Sequence, residues 1–317
     1  MKAVFVEQFG GLEKLKYADI QKPSPGPGQA LVKIAASGVN YIDIYFRKGV
    51  YPATPPIVLG SEGAGTVEAV GPDVKNVAPG DRVAYAMPRG SYAEYQAVPA
   101  WQLVKIPTSV DFETAAAAML QGMTAHYLTH STYPLKPDDS CLIHAAAGGT
   151  GRLIVQMAKM LGARVIATVG SEEKAKEAKE AGADEVIIYT REDFTAQAKG
   201  VHVVYDSVGQ STFMKSLDCL RPRGMMVSFG NASGAVAEFS PLILMQKGSL
   251  FLTRPTLGNY VATPEELDWR ASDVLNWIGQ SKLKLHIHKV YPLADASAAQ
   301  SDLESRKTTG KLLLRVA

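Results

Sequence analysis

The sequence predicts an α/β protein in which a β-rich region precedes a doubly wound parallel sheet. Three observations carry that expectation. Residues 140–151, SCLIHAAAGGTG, pass from a short apolar run into small residues. Leu153, Ile154, Val155, Met157, Ala158 and Leu161 then follow at helical spacing, so the stretch reads as strand, tight turn, helix. From residue 139 onward strand and helix patterns alternate, the rhythm of parallel βαβ units. Before residue 122 the chain instead shows short strand-like runs punctuated by Pro/Gly turns, the pattern of a small barrel or sandwich.

Taken in order, residues 2–6 form a first strand, and Ser24-Pro25-Gly26-Pro27-Gly28 is a turn before a strand at 30–35. Strands follow at 63–70 and 82–85, set apart by Gly71-Pro72 and Pro79-Gly80-Asp81. Alanine-rich 111–120, with acids early, predicts a helix; Gln121-Gly122-Met123-Thr124 reads as a turn, and 124–129 as a second helix. After the small-residue turn come a strand at 164–169, a charged helix at 171–181 ending at Gly182, and strands at 185–188 and 201–206. A helix at 211–220, strands at 225–229 and 248–253, a helix at 264–279 and a strand at 311–316 complete the reading. The predicted domains are 1–122, 123–262, and a segment 263–317 that returns to the first.

Composition narrows the function classes. The chain has 317 residues, 46% apolar and 20% charged, which is ordinary globular composition with room for two domains. A net charge of +2 speaks against nucleic acid as a main partner. Two cysteines, Cys141 and Cys219, are too few for a disulfide framework and fit a reducing, cytoplasmic compartment. The opening MKAVFVEQFG lacks an apolar run of signal-peptide length, and no stretch approaches a membrane span.

Laid against G-x-G-x-x-G, the turn reads Ala146-Ala147-Gly148-Gly149-Thr150-Gly151, with alanine in place of the first glycine. Gly148 lets the backbone approach a pyrophosphate, Gly151 lets helix and strand pack closely, and the helix N-terminus offers N–H groups to phosphate. Small-residue turns also cap helices for structural reasons alone; the alternating context favours a dinucleotide site. An NAD site usually carries an acid at the tip of the second strand, where this chain has Thr168-Val169-Gly170-Ser171. That small tip, with Lys174 one turn on and Tyr189 past the third strand, favours the 2′-phosphate of NADP(H). Against this, Lys174 belongs to the ordinary charged run SEEKAKEAKE, and Glu172 and Glu173 pull mildly toward NAD.

The stretches Gly38-Val39-Asn40-Tyr41-Ile42-Asp43, Leu59-Gly60-Ser61-Glu62-Gly63-Ala64-Gly65, 144–151, Val203-Val204-Tyr205-Asp206-Ser207-Val208-Gly209 and Met226-Val227-Ser228-Phe229-Gly230-Asn231 are spread over most of the chain. In that order they resemble the zinc-independent quinone oxidoreductases, the zeta-crystallin-like branch of the medium-chain dehydrogenase/reductase superfamily. The resemblance implies a GroES-like catalytic domain, a Rossmann nucleotide-binding domain, NADPH as cofactor, and homodimers formed through an edge strand of the nucleotide-binding sheet at 248–257. It places Asn40, Thr124 and Arg306 at the cofactor; Ser207 is counted with them, and Phe229, Gly230 and Asn231 follow the fifth strand, at the carboxyl end where such sheets bind ligands. For Arg306 a solvated helix-end arginine is an equal reading. Thr150 departs from the branch, which usually has an aliphatic residue there.

In the zinc alcohol dehydrogenases of the superfamily a cysteine stands at the place of Asn40 and a histidine at that of Ser61. Asn40 and Ser61 are poor zinc ligands, and two cysteines cannot make a four-cysteine lobe, so no metal is expected. His126/His130 and His286/His288 read as chance or surface placements.

Without a metal, the implied chemistry is hydride donation to an acceptor that is already electrophilic, a quinone or conjugated enone. Tyr41, Tyr45 and Tyr51 cluster beside Asn40. The related enoyl thioester reductases carry a tyrosine at the place of Tyr51 in N-x-x-D-(x)5-G-x-Y. Tyr51 is therefore the candidate donor or orienter, with an aromatic wall as the competing role; Tyr45 and Asn40 complete the candidate catalytic set. Two alternatives stand beside quinone reduction: reduction of an enoyl thioester or other activated alkene, and an NADPH-regulated RNA-binding or crystallin-like role.

Overall fold

The computed structural model describes residues 1–316 and divides into two units, one of Met1–Met123 with the chain from Val261 onward, the other of Thr124–Tyr260. The first unit opens with β1 (Lys2–Val6), β2 (Lys16–Asp19) and β3 (Gln29–Val39). Next come α1 (Tyr41–Arg47), β4 (Ile57–Val58), β5 (Glu62–Val70), β6 (Arg82–Ala86), β7 (Tyr95–Pro99) and β8 (Val104–Lys105). Helix α2 (Phe112–Tyr127) is continuous where a helix, turn and second helix are predicted. Gly122 lies inside it because the helix packs hard on Val274: a Cβ at Gly122 would come within 2.6 Å of Val274 Cγ1. The tail of the predicted second helix is a wider π turn, Leu128–Thr132. Helix α1 has no strong sequence signal; the backbone N–H of Asn40 donates to the Asp43 carboxylate at 3.0 Å, which starts the helix.

The second unit runs β9 (Ser140–His144), α3 (Gly149–Met160), β10 (Arg164–Val169), α4 (Glu172–Glu180), β11 (Glu185–Ile188) and α5 (Phe194–Gln197). It continues through β12 (Val201–Asp206), α6 (Phe213–Cys219), β13 (Leu220–Ser228), α7 (Leu242–Gln246) and β14 (Phe251–Thr253). Its six-stranded sheet has the order β11-β10-β9-β12-β13-β14, parallel throughout. This is the doubly wound order whose direction reverses between β9 and β12, the place where such sheets bind ligands. All of β9 is buried, as a strand covered on both faces must be. Leu142, Ile166, Ile187, Val204, Phe213 and Met226 form the core beneath it. The last strand is shorter than predicted, because Gly248 (φ +111°) and Ser249 (φ +55°) make a left-handed turn before it.

The chain then returns to the first unit with α8 (Pro264–Gly279), β15 (Ile287–Pro292), α9 (Ala296–Glu304) and β16 (Lys311–Arg315). Strand β16 pairs parallel with β15 and antiparallel with β3, giving the order β15-β16-β3-β5-β6-β8, with β7 also on β3. Strands β2-β1-β4 form a separate small sheet. Val4, Val39, Leu59, Tyr92, Leu312 and Leu314 pack together between these layers. Among the described residues no helix is long and apolar enough to cross a membrane.

Candidate active site

The phosphate turn is built by one strained residue and two glycines with different duties. Ala145 turns the chain at φ +51°, and Gly148 N–H closes the turn on Ala145 O at 2.9 Å. A Cβ on Gly151 would lie 2.3 Å from Ala145 O and 2.9 Å from Ala146 Cα, so that glycine is what allows α3 to sit against the turn. A Cβ on Gly148 would meet only Ala145 O, at 3.2 Å, which leaves its outer side open to a ligand. Gly148 is the N-cap of α3 and makes no side-chain cap, so no side chain competes for the first N–H groups of Gly149, Thr150 and Gly151. Ala147 is buried beneath them. A diphosphate fits this cradle.

At the end of β10, Gly170 and Ser171 lead into α4, and the Ser171 hydroxyl accepts the Lys174 N–H at 3.3 Å as N-cap. Lys174 is partly buried, and that desolvation lowers the pKa of its ammonium, with Glu173 opposing. Tyr189 N–H donates to Val169 O at 3.1 Å, which brings its exposed ring over Gly170. Glu172, the acid that pulled toward NAD, is engaged by Arg191. The four predicted residues Gly170, Ser171, Lys174 and Tyr189 thus share one end of the sheet, without a carboxylate at the strand tip.

Neighbouring strands β12 and β13 end at the same edge. Asp206 is buried and accepts from Val208 N at 2.7 Å, Gly209 N at 3.1 Å and the Thr212 hydroxyl at 2.8 Å. Gly230 presses on Ser207: a Cβ there would lie 2.5 Å from Ser207 O. Phe229 N–H bonds Asp206 O at 2.8 Å and Ala232 N–H bonds Ser207 O at 3.2 Å, so Ser207 and the Phe229-Gly230-Asn231 loop are laced together. His144, which the sequence reading passed over, ties this edge from below. Its Nδ1 contacts Thr168 Oγ1 at 2.7 Å and its Nε2 Ser216 Oγ at 2.9 Å, and burial holds its pKa below the usual value. Thr124 lies nearly buried within α2 and not in a turn. His126, read as surface or chance, is buried and stacks on His130 with centroids 4.2 Å apart.

In the first unit the tyrosines form a tilted row. Tyr41 and Tyr45 have centroids 6.2 Å apart, Tyr45 and Tyr51 5.2 Å, and Phe46 meets Tyr51 edge-on at 5.7 Å. The Arg89 guanidinium covers Phe46 at 4.4 Å. The Tyr41 hydroxyl donates to Leu303 O at 3.0 Å, and burial raises its pKa against the pull of Arg306. The Tyr51 hydroxyl makes no hydrogen bond among the described residues, while its ring is held by Tyr45 and Phe46. Arg306 is exposed, at φ +57° just past α9. Arg47 and Lys48 both pair with Glu304.

The carboxamide of Asn40, a candidate catalytic and cofactor residue, is held by protein groups. The residue is 4% exposed. Its Oδ1 accepts from Lys311 Nζ at 2.7 Å, and its Nδ2 donates to Glu62 Oε2 at 2.9 Å and Gly38 O at 3.3 Å. The carboxamide is saturated by the protein. Ser61 is likewise committed, its hydroxyl donating to Asp43 Oδ1 at 2.8 Å, and Tyr92 donates to Asp43 Oδ2 at 3.0 Å. Zinc does not fit here: an ammonium already sits 2.7 Å from Asn40, and among the described residues no three His, Cys, Asp or Glu side chains gather. Lys311 was not singled out from sequence, and Asp43 entered only as the D of N-x-x-D, a spacing that also fits a capping box.

Comparison with known proteins agrees with this layout. Residues 26–108 match the alcohol dehydrogenase GroES-like domain and residues 149–271 the zinc-binding dehydrogenase family. The chain is 46% identical to a quinone oxidoreductase of Pseudomonas aeruginosa, covering 99% of each, and 41% identical to a 2-haloacrylate reductase of Burkholderia sp, covering 98% of each. The crystal structure of Escherichia coli quinone oxidoreductase complexed with NADPH superposes with a TM-score of 0.97 at 43% identity over all of both chains.

Proposed function

Because the chain belongs to the quinone oxidoreductase family of the medium-chain dehydrogenase/reductase superfamily, we propose that it reduces quinones with NADPH and without zinc. The observation that carries the cofactor choice is the tip of β10, where Gly170 and Ser171 leave room and Lys174 supplies a positive charge. When bound, NADPH supplies a hydride from its nicotinamide. The turn Ala147-Gly148-Gly149-Thr150-Gly151 takes the pyrophosphate on the α3 N–H groups. Gly170, Ser171, Lys174 and Tyr189 take the 2′-phosphate end. We assign Ser207, Phe229, Gly230 and Asn231 to the nicotinamide half, and Thr124 and Arg306 to its surroundings. Asn40 acts in this scheme by holding backbone in place. Tyr51 offers the acceptor's oxygen a hydrogen bond.

A second reading has its own support. The 2-haloacrylate reductase relative acts, by its name, on an activated alkene, and the same hydride and hydroxyl serve a conjugated carbonyl. NADPH consumption by chelator-treated protein, with ortho- and para-quinones, simple enones, a haloacrylate and an enoyl thioester, decides between them. Quinone turnover that survives the chelator supports the first reading; turnover confined to the alkenes replaces it with the second.

We further propose a homodimer joined along β14, in a reducing cytoplasm. The strand ends the sheet, and Phe251 on it is exposed, as are Met214, Leu242 and Met245 in the same unit. The two unpaired, buried thiols Cys141 and Cys219 fit that compartment.

A further inference from the structure

Lys311 on β16 is 2% exposed and Glu62 at the start of β5 is 0% exposed, and their charged groups meet at 2.5 Å. A buried pair of this kind is a poor source of stability, because desolvation offsets much of its attraction; a positional role is the better account of it. The surrounding bonds supply one. The cation faces Asn40 Oδ1 and the anion faces Asn40 Nδ2, so a flipped carboxamide would set donor against donor. The second Glu62 oxygen accepts the backbone N–H of Leu120 at 2.6 Å, midway along α2. Gln121 Nε2 lies 3.5 Å from Asn40 Oδ1. Gly38 makes the room: a Cβ there would stand 2.1 Å from Glu62 Oε2 and 2.8 Å from Ala116 O.

We propose that Lys311 and Glu62 are positioning residues for hydride transfer. Their ion pair fixes the Asn40 carboxamide at the head of α1 and the Leu120-Gln121 turn of α2. It thereby sets the backbone that carries Tyr41, Tyr45 and Tyr51 and the helix that carries Thr124. The proposal rests on the reading of the protein as an NADPH-dependent reductase.

The double variant Lys311→Met/Glu62→Gln removes both charges at nearly constant volume, whereas Lys311→Met alone strands a buried carboxylate. Thermal midpoint, NADPH binding by fluorescence, kcat and KM for the quinone, and the primary isotope effect with 4-deuterated NADPH are measured together. The expected result is a folded double variant that binds NADPH as the parent does, with acceptor KM little changed. Its kcat falls about a hundredfold and its isotope effect rises, as misplaced groups make hydride transfer rate-limiting. A folded double variant with parental kcat and isotope effect overturns the proposal. If the double variant does not fold, Glu62→Asp decides, because it keeps both charges but withdraws the carboxylate from Leu120 N–H and Asn40 Nδ2: the same kinetic loss supports the proposal, and parental kinetics overturn it. An unmutated protein that binds NADPH but reduces no acceptor overturns the reductase reading itself, and is told apart because the failure precedes any substitution.

Discussion

The hydroxyl of Tyr189 lies 2.8 Å from the point that a Cβ on Gly170 would occupy, so the two positions are shaped for each other. A side chain at 170 would push the ring away from the end of β10. The open tip is thus held in shape by Tyr189 and charged by Lys174.

Lys174→Ala is expected to weaken NADPH binding about tenfold to a hundredfold, the loss of one charge-assisted hydrogen bond, and to leave NADH binding nearly unchanged. Equal losses for the two cofactors in titrations of intrinsic fluorescence would remove Lys174 from the site. The direction of its pKa adds a second expectation. Burial makes the ammonium lose its proton below the usual lysine value of 10.5, so NADPH affinity falls with rising alkaline pH before surface lysines titrate.

The two glycines of the phosphate turn are expected to fail differently. Gly151→Ala drives a methyl into Ala145 O at 2.3 Å and lowers the thermal midpoint of the protein as well as NADPH binding. Gly148→Ala meets only one contact, at 3.2 Å, and keeps the fold while weakening NADPH. Matching losses of stability in both variants would contradict the division of labour.

Tyr51→Phe keeps the ring row and removes only the hydroxyl. If that hydroxyl serves the acceptor's oxygen, kcat falls by about a hundredfold or more at similar acceptor KM. A parental kcat with a raised KM would leave Tyr51 as wall alone. Tyr41→Phe, whose hydroxyl is spent on Leu303 O, is the matched control and should alter kcat little.

Asp43 links pH to stability. Burial pushes its carboxyl up to about 6 from 3.8, against the donors Ser61, Asn40 N–H and Tyr92. Because the folded value lies above the unfolded one, its contribution is full below 3.8 and is lost as pH rises through about 6. The stability of the parent relative to Asp43→Asn should therefore fall, by roughly 3 kcal/mol at most, between about pH 4 and about pH 7. Denaturant midpoints that track each other across that range would show that Asp43 ionises normally.

Phe251→Lys places a charge on the exposed end strand of the parallel sheet. Light scattering after size exclusion should show a dimer for the parent and a monomer for the variant. A monomeric parent would dispose of the β14 interface.

The nucleotide-binding half was legible because its signals are local. The phosphate turn and each strand–helix repeat lie within a few dozen residues, and β10, β11 and β12 fall where the pattern puts them. The first unit was legible in its strands and less so in its helices. YIDIYFR, aromatic and β-branched, carries little helical propensity, yet α1 forms because Asp43 caps it and buried Arg47 ties it to Gln300 and Glu304 on α9. Gly122 read as a turn because a sequence window shows its freedom and not its contact with Val274. The Glu62–Lys311 pair was invisible for the same reason, since its members are 249 positions apart. KLLLR announces a strand; that its lysine turns inward is decided by Glu62 and Asn40 alone.

The place of β16 between β15 and β3 also orders events during synthesis. The unit 124–260 is continuous and emerges whole before residues 311–315 are made. Until they arrive, β3 lacks one of its partner strands and Glu62 has no counterion, so the sheet of the first unit is completed only by its last strand. Ribosomes add about 5–20 residues per second, and the roughly 190 residues between Met123 and Lys311 then take about ten to forty seconds. For that interval the sheet of the first unit lacks the strand that joins β15 to β3.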